Sequence, residues 1–336
     1  MRDKIKMNII KKLLMFCCVS LVALGCLTGG RAEAAMKLQL AHEQPENHPY
    51  HVGALEFAKL VKEYSNGEME VTIFPNATMG KASALAEGCS MGTIDFAVVF
   101  SLTLEAYSPK FGVLTMPYCF RDWNHAYSVL DGSIGDELKA SVEPKGIKVL
   151  AFWRTGQRQI HSRKPIRTPA DIKKKKLRVP EGLSCALVSK ALGAVTTPMS
   201  FGEAYSAMQL KTIDAQTQTI NNVYSSKMYE VGKYFTNVNM YFNTQPFIMS
   251  MQLWKSLTPK QQDIVMRAAQ RAAKVERAYH ESDTKTSYEG FVKAGGTVIE
   301  LNKDELQQWK DACVPVYKDK RLAAAMEIYN KIRKQK

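Results

Sequence analysis

The chain has 336 residues, 46% of them hydrophobic, and a formal net charge of +14. This length is sufficient for two domains with cores of their own, and no low-complexity segment indicates a disordered chain. Apart from a run at 173–176, the basic residues are scattered and are not interleaved with aromatic residues. We therefore expect a surface that attracts anionic solutes, rather than a nucleic-acid-binding protein.

The N-terminus has the pattern of an export signal. A basic segment over 1–12 precedes an apolar core over 13–24, and Ala32 and Ala34 occupy the small-residue positions that signal peptidase reads. We expect a signal peptide over residues 1–35 and a mature protein in the periplasm. Residues that end at Cys26 are similar to a lipobox, so lipid anchoring there is an alternative.

The cysteines beyond this leader are widely spaced. They are Cys89, Cys119, Cys185 and Cys313, and none forms a CxxC pair. No metal or redox motif is indicated. One disulfide is compatible with export, but the spacing does not say which cysteines it would join.

The predicted elements after the leader alternate between strand and helix. The patterns indicate a strand over 36–41, a helix over 50–65, a strand over 69–74, a helix over 82–91 and a strand over 94–100. This order predicts an α/β fold with a mostly parallel sheet.

A histidine cluster lies in the first loop of this scheme. His42, His48 and His51 lie near two glutamates, a composition that can bind zinc. The loop has turn residues, however, and we expect no metal and no cofactor. His42 is instead predicted to line a ligand pocket.

The strand and helix scheme then recurs, with strands over 146–153 and 176–179 and helices over 183–192 and 202–210. Met-Gly-Thr-Ile-Asp at 91–95 ends one helix and opens a strand, and Leu-Lys-Thr-Ile-Asp at 210–214 does the same. The repetition predicts two lobes of related design with a cleft between them.

A long helix is predicted after the second lobe. Thr258 is a hydroxyl cap, Pro259 and Gln261 suit the first turn, and no Gly or Pro follows until Gly290. A helix of about 30 residues would run about 45 Å and can lie across both lobes. We assign 36–155 plus 244–283 to lobe I and 156–243 plus 284–336 to lobe II.

Arg178 is the most informative residue. It is a lone charge in the apolar stretch 177–180, and a buried unpaired guanidinium usually waits for an anion. Because four lysines precede it, the alternative is that it ends a solvated basic run.

Several separated motifs resemble one family. They are Gly-Gln-Arg-Gln at 156–159, Leu-Arg-Val-Pro at 177–180, Thr-Pro-Met-Ser-Phe at 197–201 and Met-Tyr-Glu-Val at 228–231. In this order they resemble the periplasmic solute-binding subunit of TRAP (tripartite ATP-independent periplasmic) transporters, the DctP-like family. The resemblance implies a two-lobed periplasmic-binding-protein fold that binds a small organic anion and delivers it to a two-subunit membrane permease. It implies no enzymatic activity.

The resemblance also implies roles for particular residues. Arg178 clamps the carboxylate of the ligand, Arg158 is the second arginine, Phe201 lines the pocket and Glu181 is a polar contact. We expect Phe100 and His42 to cover the ligand from lobe I.

One position departs from the family pattern. Gln218 stands where the family usually has an asparagine, and the longer amide predicts a small ligand, such as a hydroxylated C2–C4 acid. A small sulfonate such as isethionate is an alternative. An exported hydrolase that uses Cys185 and His161 is a further one, although the sequence has no Gly-x-Ser-x-Gly motif.

Overall fold

The computed structural model describes residues 35–335, so the predicted signal peptide and Cys26 lie outside the described residues. The strands are β1 (Met36–His42), β2 (Met69–Phe74), β3 (Phe96–Val98), β4 (Ile147–Ser162), β5 (Lys176–Val179), β6 (Val195–Pro198), β7 (Ala215–Gln218), β8 (Tyr234–Ser250) and β9 (Thr297–Ile299).

The α-helices are α1 (Pro49–Tyr64), α2 (Ala82–Met91), α3 (Trp123–Leu130), α4 (Ser133–Ala140), α5 (Pro169–Ile172), α6 (Leu183–Ala191), α7 (Ala204–Gln209), α8 (Ile220–Ser225), α9 (Met251–Ser256), α10 (Pro259–Lys293), α11 (Lys303–Cys313) and α12 (Ala323–Lys334). Among the described residues, no helix combines the length and apolarity that a membrane crossing requires.

The strands form one nine-stranded sheet in the order β2-β1-β3-β8-β4-β7-β5-β6, with β9 beside β8. β1 is parallel to β3, and β5 is parallel to β6 and β7. β4 and β8 are antiparallel along almost their whole length. The predicted α/β fold is confirmed, but the sheet is mixed because this long pair runs through its middle.

The long strand pair joins two lobes. β3 pairs with the C-terminal end of β8, and β7 pairs with the C-terminal end of β4. The sequence predicted only the first half of β4 and missed β8. Polar residues interrupt the apolar pattern of both strands, although nearly all of their side chains are buried.

The two Thr-Ile-Asp segments are structurally equivalent. Asp95 accepts a hydrogen bond from the backbone nitrogen of Gln39 at 2.8 Å, and Asp214 accepts one from Lys176 at 2.9 Å. Each aspartate thereby joins the start of its own strand to the neighbouring parallel strand. The predicted internal repeat is borne out by this geometry.

Helix α10 has 35 residues and begins with the predicted capping box of Thr258 and Gln261. It packs against α1 in one lobe and α8 in the other, along the β4 strand between them. At Gly53 of α1, an added Cβ would lie 2.9 Å from the Cβ of Glu276. The two helices therefore approach too closely for a side chain at this position.

Candidate ligand-binding site

A cavity of about 560 Å³ lies at the C-terminal ends of β1, β5 and β7. In open α/β sheets, ligands bind at this end of the strands, where loops converge. The volume is in the range typical of sites for small molecules. The predicted residues Arg158, Arg178, Glu181, Phe201 and Gln218 all line this cavity, as does Phe100.

Arg178 is buried, with 2% of its surface exposed. Its Nε and Nη2 donate to the carbonyl oxygen of Met199 at 3.2 and 2.9 Å, and Nη1 has no hydrogen-bond partner among the described residues. Burial, and then the neighbouring Arg158, lower the pKa of Arg178 to about 9, so the side chain remains charged at neutral pH. The guanidinium thus lines the cavity with a hydrogen-bond donor at Nη1 that no described residue uses.

Arg158 is held more firmly. Its Nη1 donates to Oε1 of Gln218 at 2.7 Å, and its Nε donates to the hydroxyl of Tyr241 at 3.1 Å. The ring of Phe100 lies 5.1 Å from the guanidinium carbon, which is within cation–π range. Two guanidinium groups thus face one cavity, with no ion pair to either among the residues described.

Gln218 does not extend into the cavity in the way that its length suggested. Its Oε1 also accepts a hydrogen bond from the backbone nitrogen of Thr219 at 2.9 Å, so the amide turns back towards Arg158. The extra methylene is used to reach the guanidinium. It therefore gives no reason to favour a small ligand.

Three glutamates also line the cavity, and they are Glu43, Glu105 and Glu181. Burial raises the pKa of Glu43, although Arg178 and Lys81 act in the opposite direction. Glu181 is exposed and Phe201 is partly buried. Phe201 and Glu43 also line an adjoining cavity of about 440 Å³.

His42 does not line the cavity. Its side chain is fully buried, its Nε2 lies 3.3 Å from Nδ1 of His51, and burial lowers its pKa to about 4. The strand that carries His42 directs it into the core, and the next two residues, Glu43 and Gln44, line the cavity instead. The sequence prediction was therefore displaced by one position.

The sequence prediction missed a set of amide side chains. The cavity is also lined by Gln44, Asn222, Asn243 and Gln245. The side-chain carbonyl oxygens of Gln44, Asn243 and Gln245 are buried and accept no hydrogen bond in the described part of the chain. The sequence does contain an indication of two of these amides, because the polar residues 243–245 interrupt an otherwise apolar run.

His48 fixes the orientation of Asn222. Its Nε2 donates to Oδ1 of Asn222 at 2.9 Å, while its Nδ1 accepts from the backbone nitrogen of Tyr50 at 3.2 Å. Burial lowers the pKa of His48 to about 3, which keeps the ring neutral in this role. The side-chain oxygen of Asn222 is thereby engaged by His48.

His161 and Cys185, which were considered as the catalytic pair of a hydrolase, do not contact each other through a hydrogen bond. Nε2 of His161 donates to the carbonyl oxygen of Gly232 at 2.8 Å, and Sγ of Cys185 lies 3.5 Å from the hydroxyl of Tyr241. Burial raises the pKa of Cys185, which disfavours a reactive thiolate. In the described range, all four cysteines are free and buried, and no cluster of three or more His, Cys, Asp or Glu residues can hold a metal ion.

Comparisons with known proteins agree with this geometry. Residues 40–323 match the family described as "Bacterial extracellular solute-binding protein, family 7" (DctP). The chain is 36% identical over 267 residues to the 2,3-diketo-L-gulonate-binding periplasmic protein of Escherichia coli, covering 79% of this chain and 81% of that one.

Two crystal structures illustrate the similarity. A TRAP periplasmic solute-binding protein from Xanthobacter autotrophicus with bound β-D-galacturonate has 29% identity and a TM-score of 0.82, covering 88% of this chain and 99% of that one. Another from Sulfurospirillum deleyianum with bound succinate has 27% identity and a TM-score of 0.85, covering 90% and 100%. The chain therefore belongs to the DctP family of TRAP-type extracellular solute-binding proteins, which are binding proteins rather than enzymes.

Proposed function

We propose that this protein is a receptor that binds a hydroxylated organic carboxylate between its lobes and presents it to a membrane permease. It catalyses no reaction on the ligand. The carboxylate lies against the Nη1 edge of Arg178, and Arg158 provides the second positive charge. A planar guanidinium matches a carboxylate through paired hydrogen bonds, which a lysine cannot reproduce.

The observation that carries the ligand class is the set of buried amide oxygens without donors at Gln44, Asn243 and Gln245. Leaving such acceptors unpaired in a closed site costs free energy. A hydroxyl group both donates and accepts, and therefore suits an amide-lined wall. Succinate at neutral pH offers no donor, so this wall favours a sugar acid over a simple dicarboxylate.

The roles of the other side chains follow from their positions. Phe100 and Phe201 cover apolar parts of the ligand, and Glu181 at the edge accepts from a ligand hydroxyl. Gln218 acts through Arg158, whose guanidinium it holds in place.

We place the hinge between the lobes near residues 155–156 and 243–244. β4 and β8 shift register between Arg154 and Gly156, opposite Asn243 and Thr244, which supports a flexible point there. Lobe I is then 36–155 with 244–283, and lobe II is 156–243 with most of 284–336. Helix α12 moves with lobe I, because it packs against 109–115 and its Lys331 contacts Glu137 at 2.8 Å.

The cellular setting is part of the proposal. Residues 1–35 act as a signal peptide, which places the mature receptor in the periplasm, and we favour this over lipid attachment at Cys26. The closed receptor docks on a permease of two subunits, as the family resemblance implies. Closure is favoured by the ligand because only the closed form contacts it from both lobes.

Isothermal titration calorimetry with a panel of anions tests the proposal. The panel contains galacturonate and gluconate as hydroxylated acids, succinate as a dicarboxylate, isethionate as a sulfonate, and glucose as a neutral control. We expect saturable binding of at least one hydroxylated carboxylate, at least tenfold tighter than succinate. Preference for succinate would refute the amide argument, preference for isethionate would favour the sulfonate alternative, and binding of glucose alone would refute the receptor's anion site.

A further inference from the structure

A group of basic side chains lies at the end of lobe II opposite the ligand cavity. It surrounds the last residue of β4 and the first residues of β5, β6 and β7. Backbone hydrogen bonds link these ends, from Arg163 to Asp214, from Asp214 to Lys176, and from Val195 to Lys175. We call this surface the basic end, and its basic residues are Arg163, Lys164, Lys173, Lys174, Lys175, Lys176, Lys190 and Lys211.

These charges are unpaired. All the lysines of the basic end are exposed, and none of its members forms an ion pair within residues 35–335. Three acidic residues are nearby, and each has another partner: Asp319 pairs with Arg321, and the other two accept from backbone nitrogens. Asp171 accepts from Arg167 and Thr168, and Asp214 accepts from Lys176.

The internal repeat provides a comparison within the same molecule. The equivalent end of lobe I, around the starts of β1, β2 and β4, also carries lysines, and several of these are paired, although Lys145 and Lys255 are not paired with any described residue. Lys37 and Lys62 both contact Glu70, and Lys148 lies 3.3 Å from Glu143. The fold itself therefore does not require an unpaired basic surface at this position.

Exposed aliphatic side chains lie among the lysines. Val195 is 51% exposed and pairs in register with Lys176, and Leu210 is 72% exposed and precedes Lys211. Aliphatic groups surrounded by lysines are typical of surfaces that bind anionic membranes, because the lysines contact headgroups while the aliphatic groups enter the interface.

We propose that the basic end docks the receptor on an anionic phospholipid surface. Lysine is a flexible point charge that does not require a fixed partner geometry, so it suits mobile lipid headgroups better than a defined protein site. The cavity is at the opposite end of the same strands, so the docked receptor keeps its cleft clear of the membrane. Docking would confine the search for a permease to the membrane surface.

Flotation with lipid vesicles tests this inference. The wild-type protein, as purified, is mixed with vesicles of phosphatidylcholine containing 30% phosphatidylglycerol, or with phosphatidylcholine alone. Each lysine near an anionic surface contributes about a fivefold factor in binding. We expect the variant K173Q/K174Q/K175Q/K176Q to bind the anionic vesicles at least tenfold more weakly, and 0.5 M salt to release the wild type.

A matched variant controls for net charge. Lys145, Lys255, Lys274 and Lys334 are exposed lysines without an ion pair in the described residues, and K145Q/K255Q/K274Q/K334Q has the same charge change. It should bind vesicles like the wild type, while V195Q/L210Q should bind severalfold more weakly. Thermal unfolding should be similar for all variants.

Three outcomes would overturn the inference. One is equal binding to neutral and anionic vesicles, and another is equal loss in the control variant. The third is retention on heparin or DNA without vesicle binding, which would indicate a soluble polyanion as the partner. None of these outcomes depends on the ligand of the cavity, so failure here leaves the receptor proposal intact.

Discussion

Replacing Arg178 by methionine tests whether this side chain is present for the ligand or for the fold. Methionine has a similar length and fills much of the same volume without a charge. If Arg178 serves to bind the anionic ligand, R178M should lose ligand binding while the ligand-free protein becomes more stable. If Arg178 supports the fold, both properties should decline.

The magnitude follows from the environment of the guanidinium. Its pKa falls from 12.5 to about 9, mainly through burial. At about 1.4 kcal/mol for each pKa unit, the charged form is disfavoured by on the order of 5 kcal/mol. Methionine removes this cost but leaves the Met199 carbonyl without its donors, which costs about 1–3 kcal/mol. We expect a net gain of about 2 kcal/mol and a rise in Tm of about 3 °C.

The binding loss should be larger. Removing one partner of a buried charge pair usually costs at least ~3 kcal/mol, which is about 150-fold in Kd. Calorimetric titration measures the affinity, and differential scanning calorimetry without ligand measures the stability. R271M, at an exposed arginine, is the control and should change neither. Unchanged affinity, or a Tm several degrees below wild type, would refute the reasoning for Arg178.

Substitutions at three further positions test the site and the core. In Q218E the new carboxylate should pair with Arg158 and weaken anion binding at least ~100-fold, whereas Q218N should weaken it less. Calorimetric titration measures both affinities. Tighter anion binding by Q218E would contradict the proposal that Gln218 acts through Arg158. Burial raises the pKa of Glu276 from 4.5 to about 8, so folding takes up a proton and wild-type stability falls as pH rises through that window. The difference in Tm between E276Q and the wild type should therefore increase in favour of E276Q as the pH rises from 5 to 8. A difference that does not change with pH would contradict the raised pKa of Glu276. G53A should lower the free energy of unfolding by about 2 kcal/mol, because its Cβ would lie 2.9 Å from both Glu276 and Trp153. Denaturant unfolding measures this loss. An unchanged midpoint would show that the two helices can separate to accept the methyl group.

The alternation of apolar residues was sufficient to predict β1, β2, β3 and β5 and the helices α1, α2, α6 and α7, but β6, β9 and seven of the twelve helices described above were not predicted. The capping box at Thr258 and the following helix were predictable because local chemistry determines a helix start. β8 and the second half of β4 were not predictable in this way. The polar residues of these two strands are buried against the cavity or the interior. The strands therefore lack the usual alternation between buried apolar and exposed polar positions, from which a strand is predicted.

The cavity-lining residues also differ in whether the sequence alone identified them. Arg178 was identifiable because an isolated charge in an apolar strand requires an explanation, whereas Arg158 was identified only through the resemblance of Gly-Gln-Arg-Gln to the family motif. His42 and the adjacent Glu43 could not be separated by sequence, since the direction of a side chain at a strand end depends on where the pairing stops. The amides at 243–245 became interpretable only when β8 brought them beside β4.

The contrast between the two arginines suggests how the receptor combines rigidity with selectivity. Nε and Nη1 of Arg158 donate to Tyr241 and Gln218, and the residue lies on β4, which is shared by both lobes. It can therefore provide a constant positive potential whether the cleft is open or closed. Arg178 lies on the short strand β5, and its Nη1 has no partner in the part of the chain that the structure describes, so a bound anion would relieve its unfavourable burial. We propose that Arg158 attracts any small anion and that Arg178 makes binding depend on a group that fits its remaining edge.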